Sequence, residues 1–124
     1  MRLGRGSFAL GAMMAAMAAS SSAEAQDTSG AAAFRQCAAC HSTVPNKNMI
    51  GPSLAGVVGR KIAAVPGYHY STALQAQKGN WSDARLRAFL RAPAQNVPGT
   101  KMTAAGPSDP AKLDALIKYL SDLK

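Results

Sequence analysis

The chain has 124 residues, 14 of them Lys or Arg and 6 Asp or Glu, for a formal net charge of +8. That length suits one small domain, which buries a modest share of its surface and needs a staple, and two cysteines cannot supply a disulfide framework. The basic balance comes without a basic helix or an aromatic stacking platform, so nucleic acid is not the expected partner.

Residues 1–25 read as an export signal outside the fold. Arg2 and Arg5 form a basic start, Phe8 to Ala19 is an uncharged apolar run, and Ala23-Glu24-Ala25 offers a cleavage site before Gln26. The run is short for a bilayer span, which makes a retained anchor the minority reading. No twin-arginine pair is present, so export of the unfolded chain is expected. Cleavage leaves residues 26–124, 99 residues with 12 basic and 5 acidic side chains, a net +7.

Four helices and no alternating strand are predicted. The first covers residues 28–39, capped by Thr28 or Ser29 and favoured by its alanines, with Phe34 on the same face as Cys37. The second runs from Ser71 to Lys78 and stops at Gly79. A third opens at Ser82 with Asp83 in its first turn, buries Leu86, Phe89 and Leu90, and ends at Pro93. The last opens at Asp109 with Pro110 in the first helical position, and Leu113, Leu116, Ile117, Leu120 and Leu123 recur at helical spacing. Between His41 and Ser71, Pro and Gly punctuate a long segment without periodicity. Such a segment argues against a compact domain unless something large and flat supports it.

Cys37-Ala38-Ala39-Cys40-His41 supplies a reason for that support. A C-x-x-C-H run reads as a c-type haem attachment site, each thiol adding across one vinyl group and the histidine reaching the iron. On a helical backbone Cys37 and Cys40 share a face. Three other readings stand beside it. A thioredoxin-like pair would want a strand before it, where this chain has Ala31-Ala32-Ala33-Phe34. A zinc site would need four ligands, and the only other histidine, His69, is distant in sequence. A disulfide across so tight a loop would stabilise little.

From Gly51-Pro52-Ser53-Leu54 onward the chain resembles the class I cytochromes c, soluble single-haem electron carriers. Gly59-Arg60-Lys61, Pro66-Gly67-Tyr68-His69-Tyr70-Ser71, Trp81, Pro98-Gly99-Thr100-Lys101-Met102 and Leu116-Ile117-Lys118-Tyr119-Leu120 follow in that family's order. Upstream, Gly30-Ala31-Ala32-Ala33-Phe34 resembles the first helix of its bacterial members. The resemblance implies an all-α fold of helices and long loops around one haem c, held by Cys37 and Cys40, with His41 and Met102 as iron ligands. It also implies that the Pro52 carbonyl accepts a hydrogen bond from His41, and that Arg60, Tyr70 and Trp81 surround a haem propionate. Met49, the other methionine of the mature chain, is expected to pack in the interior, and His69 to be exposed or locally bonded. Phe89, Ala104 and Leu74 depart from residues that many relatives carry.

The function expected from this is one-electron transfer in the periplasm, between respiratory or photosynthetic partners such as a membrane oxidase, a reductase complex, a reaction centre or a periplasmic dehydrogenase. The protein is expected to be a monomer, not an enzyme, and to meet membranes only through those partners. The alternative is a haem-bearing subunit of a periplasmic dehydrogenase. A small haem peroxidase or a gas sensor would need an open or labile position at Met102. Around the haem edge several positions are neutral or acidic, among them Gln36, Ala94, Gln95 and Asp109. Docking there is expected to lean on apolar contact near Ala104 and Ala105.

Overall fold

The structure, a computed structural model, describes Gly4, Gly6, Gly11 and residues 29–124. The expected export segment lies outside the described residues apart from those three glycines, as does Thr28, one of the two cap candidates. The fold is all-α. Its helices are α1 (Gly30–Phe34), α2 (Thr72–Gln75), α3 (Asp83–Arg91), α4 (Pro93–Asn96) and α5 (Pro110–Ser121). Among the described residues, β pairing is limited to one antiparallel bridge between Lys61 and Asn80.

Each helix starts where its side chains allow. Ser29, Ser71 and Ser82 accept hydrogen bonds from the N–H groups of Ala32, Leu74 and Arg85, and Asp109 accepts one from Ala111. These contacts satisfy N–H groups that a first turn leaves without partners. Two predicted lengths are corrected. The first helix is regular only to Phe34, after which the chain continues in turns through Cys40. The second is a single turn, Thr72–Gln75, rather than a helix to Lys78. Pro93 does end α3, but it also occupies the first position of α4, an extra turn that periodicity could not reveal.

The core lies where α1 and α3 meet α5. Leu113, Leu116, Ile117 and Leu120 line the buried face of α5 against Phe34, Leu86, Phe89 and Leu90. Burying each aliphatic side chain stabilises the fold by about 1.5–3 kcal/mol. Phe34 is turned to α5, its ring 5.2 Å from that of Tyr119. On the surface, Arg87 ties the helices together by pairing with Asp83 on its own helix and with Asp114 on α5.

The α1–α5 crossing is close because residue 30 has no side chain. A Cβ on Gly30 would lie 2.4 Å from both the Ala115 carbonyl oxygen and the Tyr119 Cβ. Neither atom is a flexible tip, so the helices would have to separate. Gly30→Ala should therefore cost about 1–3 kcal/mol, read as a lower denaturant midpoint with unchanged slope.

Candidate haem-binding site

The attachment motif begins one turn past α1. The N–H groups of Cys37 and Ala38 donate to the Phe34 carbonyl at 2.8 and 3.0 Å, and those of Cys40 and His41 to the Cys37 carbonyl at 3.1 and 2.9 Å. The backbone thus keeps bonding three and four residues back through His41, although the regular helix has ended. This spacing keeps Cys37 and Cys40 on a shared face. Both are free, half-buried thiols. Burial, with a smaller contribution from the neighbouring Cys40, pushes the Cys37 thiol pKa up.

His41 is held from two sides. Its Nδ1 lies 2.7 Å from the Pro52 carbonyl oxygen. In the tautomer that donates this bond, Nε2 keeps its lone pair for a metal. Gly51 lies against the ring, where an added Cβ would fall 2.3 Å from Cε1 and 2.8 Å from Nε2. Its N–H donates to the Cys40 carbonyl at 2.7 Å, so it cannot drift away. Gly51 is required for close approach. Gly51→Ala should displace the imidazole, and the measurement is a shifted reduction potential with a lower yield of haem-loaded protein.

The loop carrying Pro52 is braced by side chains that sequence patterning passed over. Asn48 accepts from the Ser53 N–H at 3.1 Å and donates to the Pro66 carbonyl at 3.1 Å. Ser53, 1% exposed, donates to the Val44 carbonyl at 2.6 Å. Tyr68 donates to the Ile50 carbonyl at 2.8 Å and packs edge-on against Tyr70. Desolvation, then the proximity of Tyr70 and Cys40, pushes the Tyr68 pKa up. The only signal for these residues was indirect. A loop without secondary structure must satisfy its backbone groups somehow, and Asn, Ser and Tyr are the side chains that can.

Arg60 and Trp81 are brought together by backbone pairing. The Trp81 N–H donates to the Arg60 carbonyl at 2.8 Å, and the Gly59 N–H to the Trp81 carbonyl at 2.6 Å. One guanidinium nitrogen, Nη1, donates to the Ser53 and Ala55 carbonyls, both at 2.9 Å. The buried Nε has no hydrogen-bond partner. Burial lowers the Arg60 pKa, with Tyr70 acting in the opposite direction. The Tyr70 hydroxyl accepts from the Val65 N–H at 3.0 Å, which leaves its own proton to donate. A buried, unsatisfied N–H is costly, and an anionic group from outside the polypeptide would satisfy it. The donors present therefore fit a haem carboxylate. Trp81 is buried, its ring 5.2 Å from that of Phe89.

Met102 is half-buried and packs against the core, as do Cys37, Leu54, Ala73 and Leu74. Its loop is pinned at several points. The Thr100 N–H donates to the Val97 carbonyl at 3.0 Å, and the Gly106 N–H to the Leu90 carbonyl at 2.7 Å. Gly99 takes a φ of 91°, a left-handed conformation that suits glycine. Lys101 Nζ donates to the His69 carbonyl at 2.8 Å, joining the methionine loop to the loop of Tyr68 and Tyr70. The His69 side chain is exposed. Met49 is corrected: at 45% exposed it is a surface residue, not an interior one. Among the described residues, no three His, Cys, Asp or Glu side chains gather as a metal ion would need, unlike the zinc reading.

Comparison with known proteins extends over most of this frame. A family model described as cytochrome c matches residues 27–124. Cytochrome c2 of Agrobacterium tumefaciens is 45% identical, covering 73% of this chain and 86% of its own. Cytochrome c2 iso-1 of Magnetospirillum molischianum is 46% identical, covering 74% of this chain and 94% of its own. Among solved structures, cytochrome cH from Methylobacterium extorquens matches with a TM-score of 0.67 and 46% identity, over 73% of this chain and 92% of that one.

Proposed function

The chain belongs to the cytochrome c family, and on that premise we propose that it carries single electrons between redox proteins of the periplasm and turns over no substrate of its own. The observation that carries this reading is the attachment motif itself: two thiols on a shared face, followed by an imidazole whose Nδ1 is bonded to Pro52. When bound, a haem c supplies an iron that alternates between ferric and ferrous by one electron.

The chain does the rest. Cys37 and Cys40 hold the porphyrin through thioethers, so the carrier cannot lose it. His41 is the proximal ligand, and its bond to Pro52 fixes the ring and raises its basicity. Met102 is the distal ligand, a soft, neutral donor that favours the reduced metal and keeps small ligands out. Arg60, Tyr70 and Trp81 meet a propionate, which neutralises a buried carboxylate and supplies the acceptor that Arg60 Nε lacks. The pinned loops move little between oxidation states, which keeps the cost of reorganisation low.

Export removes residues 1–25, and the mature protein works as a periplasmic monomer. A potentiometric titration should give one reversible couple with single-electron slope, and mass spectrometry of periplasmic material should find Gln26 as the first residue. Rapid peroxide turnover at an open iron would instead favour an enzyme, and a haem-bearing product that retains Phe8 to Ala19 would mean a membrane anchor.

A further inference from the structure

The exposed large hydrophobic side chains among the described residues are Val44, Met49 and Ile50, at 52%, 45% and 77%. Isolated exposed apolar residues are ordinary. Three on one short loop, with none elsewhere in the described fold, are not a random scatter.

That loop is also unusually well fixed. The Ser42 hydroxyl accepts from the Val44 N–H at 2.9 Å, and the Lys47 N–H donates to the Val44 carbonyl at 3.2 Å. The Met49 N–H donates to the Gly51 carbonyl at 2.9 Å, and Tyr68 holds the Ile50 carbonyl. A surface held in its binding conformation loses little entropy on association. It also begins next to the chemistry, because Gly51, the neighbour of Ile50, packs on the His41 ring and bonds to Cys40.

Charge identifies the occupant. Among residues 29–124 the acidic side chains are Asp83, Asp109, Asp114 and Asp122, all at the start of α3 or along α5. Two of them are engaged by Arg87 and one by Lys118. The remainder of the described fold, residues 29–81 and 93–108, contains Arg35, Lys47, Arg60, Lys61, Lys78 and Lys101 and no Asp or Glu. The part of the molecule that bears the attachment motif is thus positive, and its counter-charges are held on the helices.

We infer that the loop of residues 44–50 is the apolar centre of a docking surface for an electron-transfer protein whose own face is apolar in the middle and rimmed by acidic residues. This rests on the electron-carrier reading above and names the partner chemistry of the same site. Diffuse positive charge steers the encounter. Met49 and Ile50 then hold the complex by excluding water close to His41.

The test uses the haem-loaded, full-length protein and Met49→Ser/Ile50→Ser. Second-order electron transfer to an acidic-faced blue-copper protein is measured by stopped flow across ionic strength, with hexacyanoferrate as a small control reagent. The double variant should be about tenfold slower with the copper protein at every salt concentration, since lost apolar burial is not screened. Its salt slope, reduction potential and hexacyanoferrate rate should match wild type, and Ile50→Leu should keep the full rate. Equal rates for wild type and double variant would overturn the inference. So would a slowed variant whose potential has also moved, because the loop would then act through His41. Self-association of the wild type, or retention on anionic vesicles, that is lost in the variant would assign the loop to another occupant. A wild type without a reversible one-electron couple would sink the carrier reading as well, whereas an intact couple with equal rates overturns the docking surface alone.

Discussion

Replacing Cys37 and Cys40 together by alanine should yield a chain that carries no covalent haem and does not accumulate as a folded protein. The helices explain why. Apart from α3 and α5, none exceeds five residues, far below the length at which a helix is stable alone. The segment from Ser42 to Tyr70 has no helix and leans on bonds from Asn48, Ser53, Arg60 and Tyr68 to backbone groups. A haem gives those loops an apolar surface to pack on. Burying roughly several hundred Å² of porphyrin and lining contributes on the order of 10 kcal/mol, comparable to the whole stability of a small domain. Circular dichroism and protease resistance of the exported product should report a largely unfolded, rapidly cleaved chain. A compact, thermally stable double variant would show that the helical core suffices by itself.

The second large effect is at Met102. Met102→Ala removes a thioether that packs against the core from a loop pinned by Thr100, Lys101 and Gly106. The alanine methyl cannot reach a metal, so water or an added ligand takes the position. Axial ligation spans a range of about 0.8 V among haem proteins. Loss of the neutral sulfur donor should lower the potential by a substantial part of that, on the order of 0.1–0.3 V. The variant should also bind cyanide or imidazole far faster than wild type. An unchanged potential would mean that Met102 is not the distal ligand. Because Met102 is only half-buried, the fold itself should lose less stability than after the cysteine changes.

Much of this was legible in the sequence where short-range physics decides. Ser82, Asp109 and Pro110 marked helix starts that the structure keeps, and the spacing of Leu113, Leu116, Ile117 and Leu120 gave the buried face of α5. Periodicity overran the first helix because alanines favour a helix that the chain leaves after Phe34. It could not see α4, whose single turn is too short to show a period. In the loops, motif order located His41, Pro52, Arg60, Tyr70, Trp81 and Met102, but not what holds them. The clearance at Gly51, the brace at Asn48 and the tie from Tyr68 to Ile50 are contacts between residues far apart in sequence or pressed against a ring. Met49 was misread for a related reason: a methionine near the motif suggests packing, and only the loop geometry turns it to solvent.

The most direct measurement of the central claim is the absorption spectrum of the purified protein, oxidised and reduced, before and after extraction with acidified acetone. The account predicts a low-spin, six-coordinate c-type spectrum in both states, with the weak charge-transfer band of a sulfur–iron bond in the oxidised form. The haem should stay with the polypeptide through extraction. A pigment that leaves with the solvent, or a high-spin spectrum with an open coordination position, would contradict it.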